Sequence, residues 1–215
     1  VPLRADIAFA VKELARRLVA PTVEDWTAAM HVLRYLLGTM HYMFVLQPRI
    51  KLAEVAKQLE VVIYADSDWA GCKLTRKSTS GICVQLLGTT ILFASRTQES
   101  VALSSGEAEL YAVGSGVAEG LFVCNLTKEI GLALKSSLTC FTDSTAGKSL
   151  ATRFGTSKRT RHIDARLLYM QELVERGILR LKKVAGTENF ADLGTKHVSL
   201  ETLMKFLEAV GLHEC

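Results

Sequence analysis

The sequence predicts an α/β protein: a mixed five-stranded sheet flanked by helices, with an N-terminal helical segment ahead of it. Three observations carry this reading. Residues 61–65 (Val-Val-Ile-Tyr-Ala) form an unbroken apolar, β-branched run, the pattern of a central strand covered on both faces. Two more strand patterns, at 79–87 and 90–96, follow without an intervening helix. From 104 onward helix patterns alternate with strand patterns, and three strands in a row followed by such alternation suit one mixed sheet covered by helices.

In chain order, Ile7, Ala10, Val11, Leu14 and Leu18 share one helical stripe over residues 5–18, and Ala20-Pro21 ends that helix. Thr22 is expected as an N-cap with Asp25 three residues on. It opens a second helix expected to bury Trp26, Met30, Leu33 and Leu37 and to stop at Gly38. Residues 42–47 read as a short strand, and the polar, basic stretch from Pro48 to Glu60 as a linker. Gly88-Thr89 is expected as the tight turn of a hairpin. Ser104 and Glu107 form a capping-box pattern at the head of a long helix running to about Ile130, closed by Gly131. A fourth strand is expected over 138–142, a short helix over 144–152 and a further helix over 161–176 ended by Gly177. A fifth strand over 178–184 and a last helix over 199–210, ended by Gly211, complete the pattern.

The 215 residues suffice for one domain with a sizeable core, or one domain and a small appendage. Net charge is +4, with a pI near 8.8, which permits a polyanionic partner without requiring one. The five cysteines (Cys72, Cys83, Cys124, Cys140, Cys215) form no CxxC pair, so neither a zinc site nor a disulfide framework is expected, and a reducing intracellular compartment is. No signal-peptide pattern and no apolar run long enough to span a membrane stand out, so no membrane partner is expected. The chain opens on Val1, directly into a helical pattern, and reads as a fragment of something longer.

Carboxylates fall at telling places on this map. Asp66 and Asp68 lie at the C-terminal end of the first sheet strand, and Glu109 in the first turns of the long helix. Asp143 ends the fourth strand, and Asp192 precedes the last helix. Strand ends and helix starts are where α/β folds expose functional groups. Acids brought together there repel one another unless a cation intervenes, and magnesium, a hard ion, prefers carboxylate and water oxygens. Two such ions roughly 3.5–4 Å apart can activate water and stabilise the leaving oxygen in phosphodiester hydrolysis. Each acid also has a plainer role open to it: Asp143 and Asp192 as helix caps, and Glu109 as a solvated helix residue.

Six ordered blocks then point to a family. Tyr64-Ala65-Asp66-Ser67-Asp68-Trp69-Ala70-Gly71, Arg76-Lys77-Ser78-Thr79-Ser80-Gly81 and Val101-Ala102-Leu103-Ser104-Ser105-Gly106-Glu107-Ala108-Glu109-Leu110-Tyr111-Ala112 are the first three. Thr142-Asp143-Ser144 with Ala146, Arg161-His162-Ile163-Asp164-Ala165-Arg166 and Ala191-Asp192-Leu193-Gly194-Thr195-Lys196 are the others. Together they resemble the RNase H domain of copia-type retrotransposon polyproteins. Upstream, residues 4–11 and 33–39 resemble the end of the reverse-transcriptase module. The resemblance implies an RNase H-like fold and Mg²⁺-dependent cleavage of the RNA strand of RNA–DNA hybrids, leaving a 5′-phosphate and a 3′-hydroxyl. It implies two Mg²⁺ ions, with Mn²⁺ as the alternative, and no small-molecule cofactor. Carried over by position, the catalytic, metal-holding acids are Asp66, Glu109 (the acid directly before Leu-Tyr-Ala), Asp143 and Asp192, with Asp68 behind them. The expected partners are an RNA–DNA hybrid and the reverse-transcriptase module of the same polyprotein, in cytoplasmic retrotransposon particles. Residues 1–47 are then the helical tail of the reverse transcriptase or connection region, 48–59 a linker, 60–198 the RNase H-like domain and 199–215 a C-terminal helix. The alternative reading is a non-catalytic RNase H-like connector that only binds nucleic acid.

Cellular RNases H carry a histidine in the loop before the last aspartate; here Ala185-Gly186-Thr187-Glu188-Asn189 has none. Glu188 reads as a solvated loop residue, with proton transfer as the functional alternative. Phosphate contacts are expected from cations flanking the acids: Arg76 and Lys77 after the first strand, and Lys158, Arg159, Arg161 and Arg166 at the head of a helix, whose N-terminus also favours anions. Ser78, Thr79 and Ser80 are candidates for contacts to ribose 2′-hydroxyls. Trp69 is expected to pack in the core.

Overall fold

The computed structural model describes residues 3–50, 59–132, 135–145 and 164–214, with side chains from Leu167 onward in the last stretch. Its centre is a five-stranded sheet of β2 (Leu59–Asp68), β3 (Thr79–Leu86), β4 (Thr89–Thr97), β5 (Ser136–Thr142) and β6 (Leu179–Lys183), in spatial order β4-β3-β2-β5-β6. β2, β3 and β4 form an antiparallel meander, whereas β5 pairs parallel to β2 and β6 parallel to β5. The mixed, helix-flanked sheet expected from the sequence, of the RNase H-like type, is thus the observed fold.

Alternation along β2 decides what each face meets. Val61, Ile63 and Ala65 are wholly buried against α3 (Ser105–Glu129). That helix lies very close: a Cβ on Gly116 or Gly120 would come within 2.9 or 2.5 Å of Ile63. Leu167, Met170 and Leu173 of α4 (Asp164–Glu175) complete this layer. On the other face Tyr64 stacks on Phe141 at 5.2 Å between ring centroids and meets Phe190 at 4.5 Å. There α5 (Leu200–Val210), capped by Ser199 and ended by Gly211 at φ +91°, buries Phe206, Leu207 and Val210. By length and hydropathy α3 could cross a bilayer, contrary to the expectation that no such run exists. It is instead a core helix, with 56% of its most apolar window buried in the fold.

The N-terminal segment joins this second layer. Ala5 is buried beside Phe206 and Leu212, and α1 (Ala8–Ala15) leans on β4. β1 (Tyr42–Phe44) pairs antiparallel with β7 (Leu212–Glu214), a terminal strand with no distinct sequence signal. α2 (Val23–Gly38) carries the expected Thr22–Asp25 capping box but not the expected burial. Trp26, Leu33 and Leu37 are at least half exposed, and the partly buried apolar and aromatic residues are Ala29, Met30, Val32, Tyr35 and Leu36. Both sides of this helix carry apolar residues, so periodicity could not say which stripe turns inward.

Two local expectations also change. The hairpin turn is Leu87–Gly88, both at positive φ (52° and 74°), because β3 and β4 close at Leu86↔Thr89. That is the type I′ geometry whose twist matches the strands. At the head of α3, Ser104 accepts from the Glu107 N–H, but the Glu107 carboxylate takes the Leu103 N–H (2.9 Å) and the Tyr111 hydroxyl (2.8 Å) instead of closing the box on Ser104. The helix expected over 144–152 falls largely outside the described residues.

Candidate functional site

Three of the four expected acids converge. Asp66 near the end of β2, Glu109 in the second turn of α3 and Asp143 just past β5 each offer a carboxylate oxygen. These oxygens lie within 4.8 Å of one another, the single such acid group among the described residues. The parallel β2–β5 pairing sets Asp66 and Asp143 side by side at the strand ends, and α3 lays Glu109 across them. Asp192, in the 3₁₀ turn Phe190–Gly194, is buried beside Asp66, while its Oδ2 is held by Lys196 Nζ at 2.8 Å.

The electrostatics are those of a crowded anionic site. Burial, then the charges of Asp66 and Asp143, push Glu109 up to about 8. Burial, then Asp66, push Asp192 up to about 7. Asp143 is raised by burial and by Asp66. Burial works against the charge on Lys196, but its hydrogen bond to Asp192 and the neighbouring acids outweigh that and raise its pKa. Glu109 Oε2 and Asp192 Oδ1 are buried without a hydrogen-bond partner. Three converging carboxylates, one of them with a buried oxygen left unpartnered, are hard donors that fit a divalent cation well.

Sequence reasoning missed the residues that hold this geometry. The Thr195 hydroxyl donates to the Asp66 carboxylate. Asn189, fully buried, donates from Nδ2 to the Ala65 carbonyl (3.1 Å) and accepts the Ala191 N–H (3.4 Å), tying the Asp192 turn to β2. Thr195 and Lys196 stood inside a recognised block, but nothing local marked them as partners of the acids. Gly186 passes Asp143 so closely that a Cβ would sit 3.3 Å from its carboxylate, and Glu188 in the same loop is exposed.

Other expected residues fall elsewhere. Asp68 shares the face of Asp66, since β2 continues through both, but its carboxylate accepts the Thr79 N–H and stands apart from the three-acid group. Burial raises its pKa. Ser78, Thr79 and Ser80 are buried, so contact with a ribose through their side chains is not available in this structure. Ser78 Oγ accepts the Ala70 N–H, Thr79 Oγ1 accepts from Lys12 and Ser80 Oγ from Gln98. Trp69, expected in the core, is 55% exposed, with its indole N–H on the Ala102 carbonyl. Arg76 is exposed and Lys77 half-buried on the β2–β3 loop. Lys158, Arg159 and Arg161, and the side chain of Arg166, lie outside the described residues.

No family model matches the chain. It is 30% identical over 209 residues to the retrovirus-related Pol polyprotein from transposon RE2 of Arabidopsis thaliana, covering 97% of this chain and 14% of that protein. It is 32% identical over 210 residues to the corresponding polyprotein from transposon TNT 1-94 of Nicotiana tabacum, covering 98% and 15%. The chain thus spans about one seventh of the length of these relatives. Among solved structures it is similar to LC11-RNase H1, isolated from compost, at 15% identity over 69% of this chain and 98% of that one, with a TM-score of 0.49. With this sheet and these relatives along nearly its whole length, the chain is similar to one segment of the retrovirus-related Pol polyproteins of plant transposons, and its sheet and acid cluster are those expected of an RNase H-type domain.

Proposed function

We propose that this chain is a divalent-metal-dependent ribonuclease H that cleaves the RNA strand of RNA–DNA hybrids during reverse transcription. In this reading it works beside the polymerase module of its polyprotein, in cytoplasmic particles. The observation that carries the reading is the convergence of Asp66, Glu109 and Asp143, with Asp192 against Asp66 and buried carboxylate oxygens left unpartnered. Asp66, Glu109, Asp143 and Asp192 would hold the metal, and magnesium suits their hard oxygen donors. Bound there, the metal would supply water activation and stabilisation of the leaving oxygen.

The chain's own residues do the positioning. Thr195 orients the Asp66 carboxylate, the Ser67 N–H holds Glu109 at 3.3 Å, and Asn189 fixes the turn that presents Asp192. Lys196 balances part of the acid charge while leaving Asp143 open on the solvent side. With no histidine in the Ala185–Asn189 loop, the exposed Glu188 is the titratable side chain of that loop available to exchange protons with solvent.

The test is cleavage of an end-labelled RNA–DNA hybrid with and without Mg²⁺, beside matched double-stranded DNA and RNA. Hybrid-selective, Mg²⁺-dependent cleavage that Asp143→Asn abolishes is expected. Near-normal cleavage by that variant would sink the assignment. Hybrid binding with no metal-dependent cleavage by the unaltered chain would make it a binding connector instead.

A further inference from the structure

The N-terminal helix, assigned above by resemblance to the preceding module, shares a basic groove with the sheet. Between α1 and the β2–β3 loop lies a concavity of about 730 Å³. Four cations line it, Arg16 and Arg17 from the helix side and Lys73 and Lys77 from the loop, against one carboxylate, Glu13. Its floor is built. Arg16 donates from Nε and Nη2 to the Thr97 hydroxyl of β4 (3.2 and 2.9 Å) and pairs with Glu13 at 3.2 Å. Lys12, one turn earlier, donates to Thr79 of β3 and lies 4.7 Å over the Phe9 ring. The loop is closed on itself by Arg76 N–H to Cys72 O (2.7 Å) and Cys72 N–H to Lys77 O (3.2 Å).

Two cations remain on offer. Arg17 is exposed and has only a long 3.9 Å pairing with Asp25, and Lys73 is exposed on the loop. Lys77 runs straight into β3, whose Thr79 is paired with Asp68, two residues along β2 from Asp66. Two residues of strand span about 7 Å, so the loop that lines the groove leaves the same end of the sheet that carries Asp66, just beyond Asp68. Acids that bind metal at one end and free cations at the other suit a single polyanion crossing both.

We propose that α1 and the β2–β3 loop form a phosphate-binding groove that grips the nucleic-acid backbone next to the cleavage site, making the N-terminal helix a substrate-binding element of the RNase H-type domain. This rests on the proposed function above. Fixed, exposed cations at a concave surface read a phosphate backbone by charge and position, not by sequence.

The experiment measures hybrid affinity by fluorescence anisotropy across a salt series, in the full chain carrying Asp143→Asn to prevent cleavage. Added Arg17→Gln and Lys73→Gln should weaken binding about tenfold or more and flatten the dependence of log affinity on log salt by about two, near 0.9 per lost phosphate contact. The melting temperature should not change, since both side chains are exposed. Lys128→Gln, at the far end of α3, serves as the charge control and should leave affinity unchanged. Wild-type affinity and salt slope in the Arg17/Lys73 variant would overturn the groove alone, as would an equal loss in the Lys128 control. Failure of the parent protein to bind hybrid at all would overturn the functional reading with it.

Discussion

Lys196 Nζ stands 2.8 Å from Asp192 Oδ2, one turn along the chain, and places a cation against the acids. Asp66 and Asp143 also favour its charge. The pair is half open to solvent on the lysine side, so its own worth is about 1 kcal/mol at most. Its greater effect is on what else can bind.

Lys196→Gln should therefore lower the melting temperature of the metal-free protein modestly, and should enlarge the rise in melting temperature that Mg²⁺ produces. The reason is that a competing positive charge has been removed from the site. Differential scanning fluorimetry across a Mg²⁺ series reads both effects. An identical Mg²⁺ response in variant and parent would show that Lys196 does not face the metal's position.

The metal-free protein should lose stability with rising pH. Glu109 titrates near 8 in the fold against an ordinary 4.5, and Asp192 near 7 against 3.8. A carboxylate raised in the folded state favours folding fully below its ordinary value, and that contribution disappears as pH climbs through the folded value. Melting temperature should thus fall from about pH 3.8 through 8, and Mg²⁺ should restore it most at the upper end. A flat profile without metal would contradict this electrostatic picture.

Two glutamates two residues apart should behave oppositely. Glu109→Gln removes a buried charge, so it should raise metal-free stability near pH 8 while abolishing hybrid cleavage. Glu107→Gln weakens the contacts to Leu103 N–H and Tyr111 at the head of α3, costing about 0.5–1.5 kcal/mol while retaining cleavage. Urea denaturation and the cleavage assay separate them, and loss of cleavage in both variants would reject the distinction.

Gly81→Ala should disable the site without touching an acid. Its Cβ would lie 2.2 Å from the Ala191 carbonyl oxygen, and Gly194 approaches the same place from the other side. Backbone must move, and it is the backbone that carries Asp192. A cost of about 1–3 kcal/mol is expected, with cleavage reduced more than hybrid binding. Wild-type stability in this variant would show that the turn yields freely.

Most of the strand and helix order, the N-caps at Thr22 and Ser104, and the glycine stops at 131, 177 and 211 are local signals, and local pattern was enough to read them. The choice of Glu109 over Glu107 rested on the family resemblance, which places the acid directly before Leu-Tyr-Ala, and the capping pattern at Ser104 agreed with it. The buried hydroxyls of Ser78, Thr79 and Ser80 were not legible. A polar run looks solvent-facing until its partners, Lys12 and Gln98 among them, are brought from elsewhere in the chain.

The same limit separates the two kinds of knowledge about this protein. Periodicity, capping chemistry and the ordered blocks were sufficient for an α/β sheet with acids at its strand ends, since each of these depends on neighbours a few residues away. Tertiary structure alone decided that Thr195 meets Asp66 across 129 positions, that Asn189 locks its turn onto Ala65, that β1 finds β7, and which stripe of α2 faces inward. These are pairings between distant segments. They follow from strand register and from how closely two glycines let backbones approach, and no stretch of chain read by itself encodes its partner.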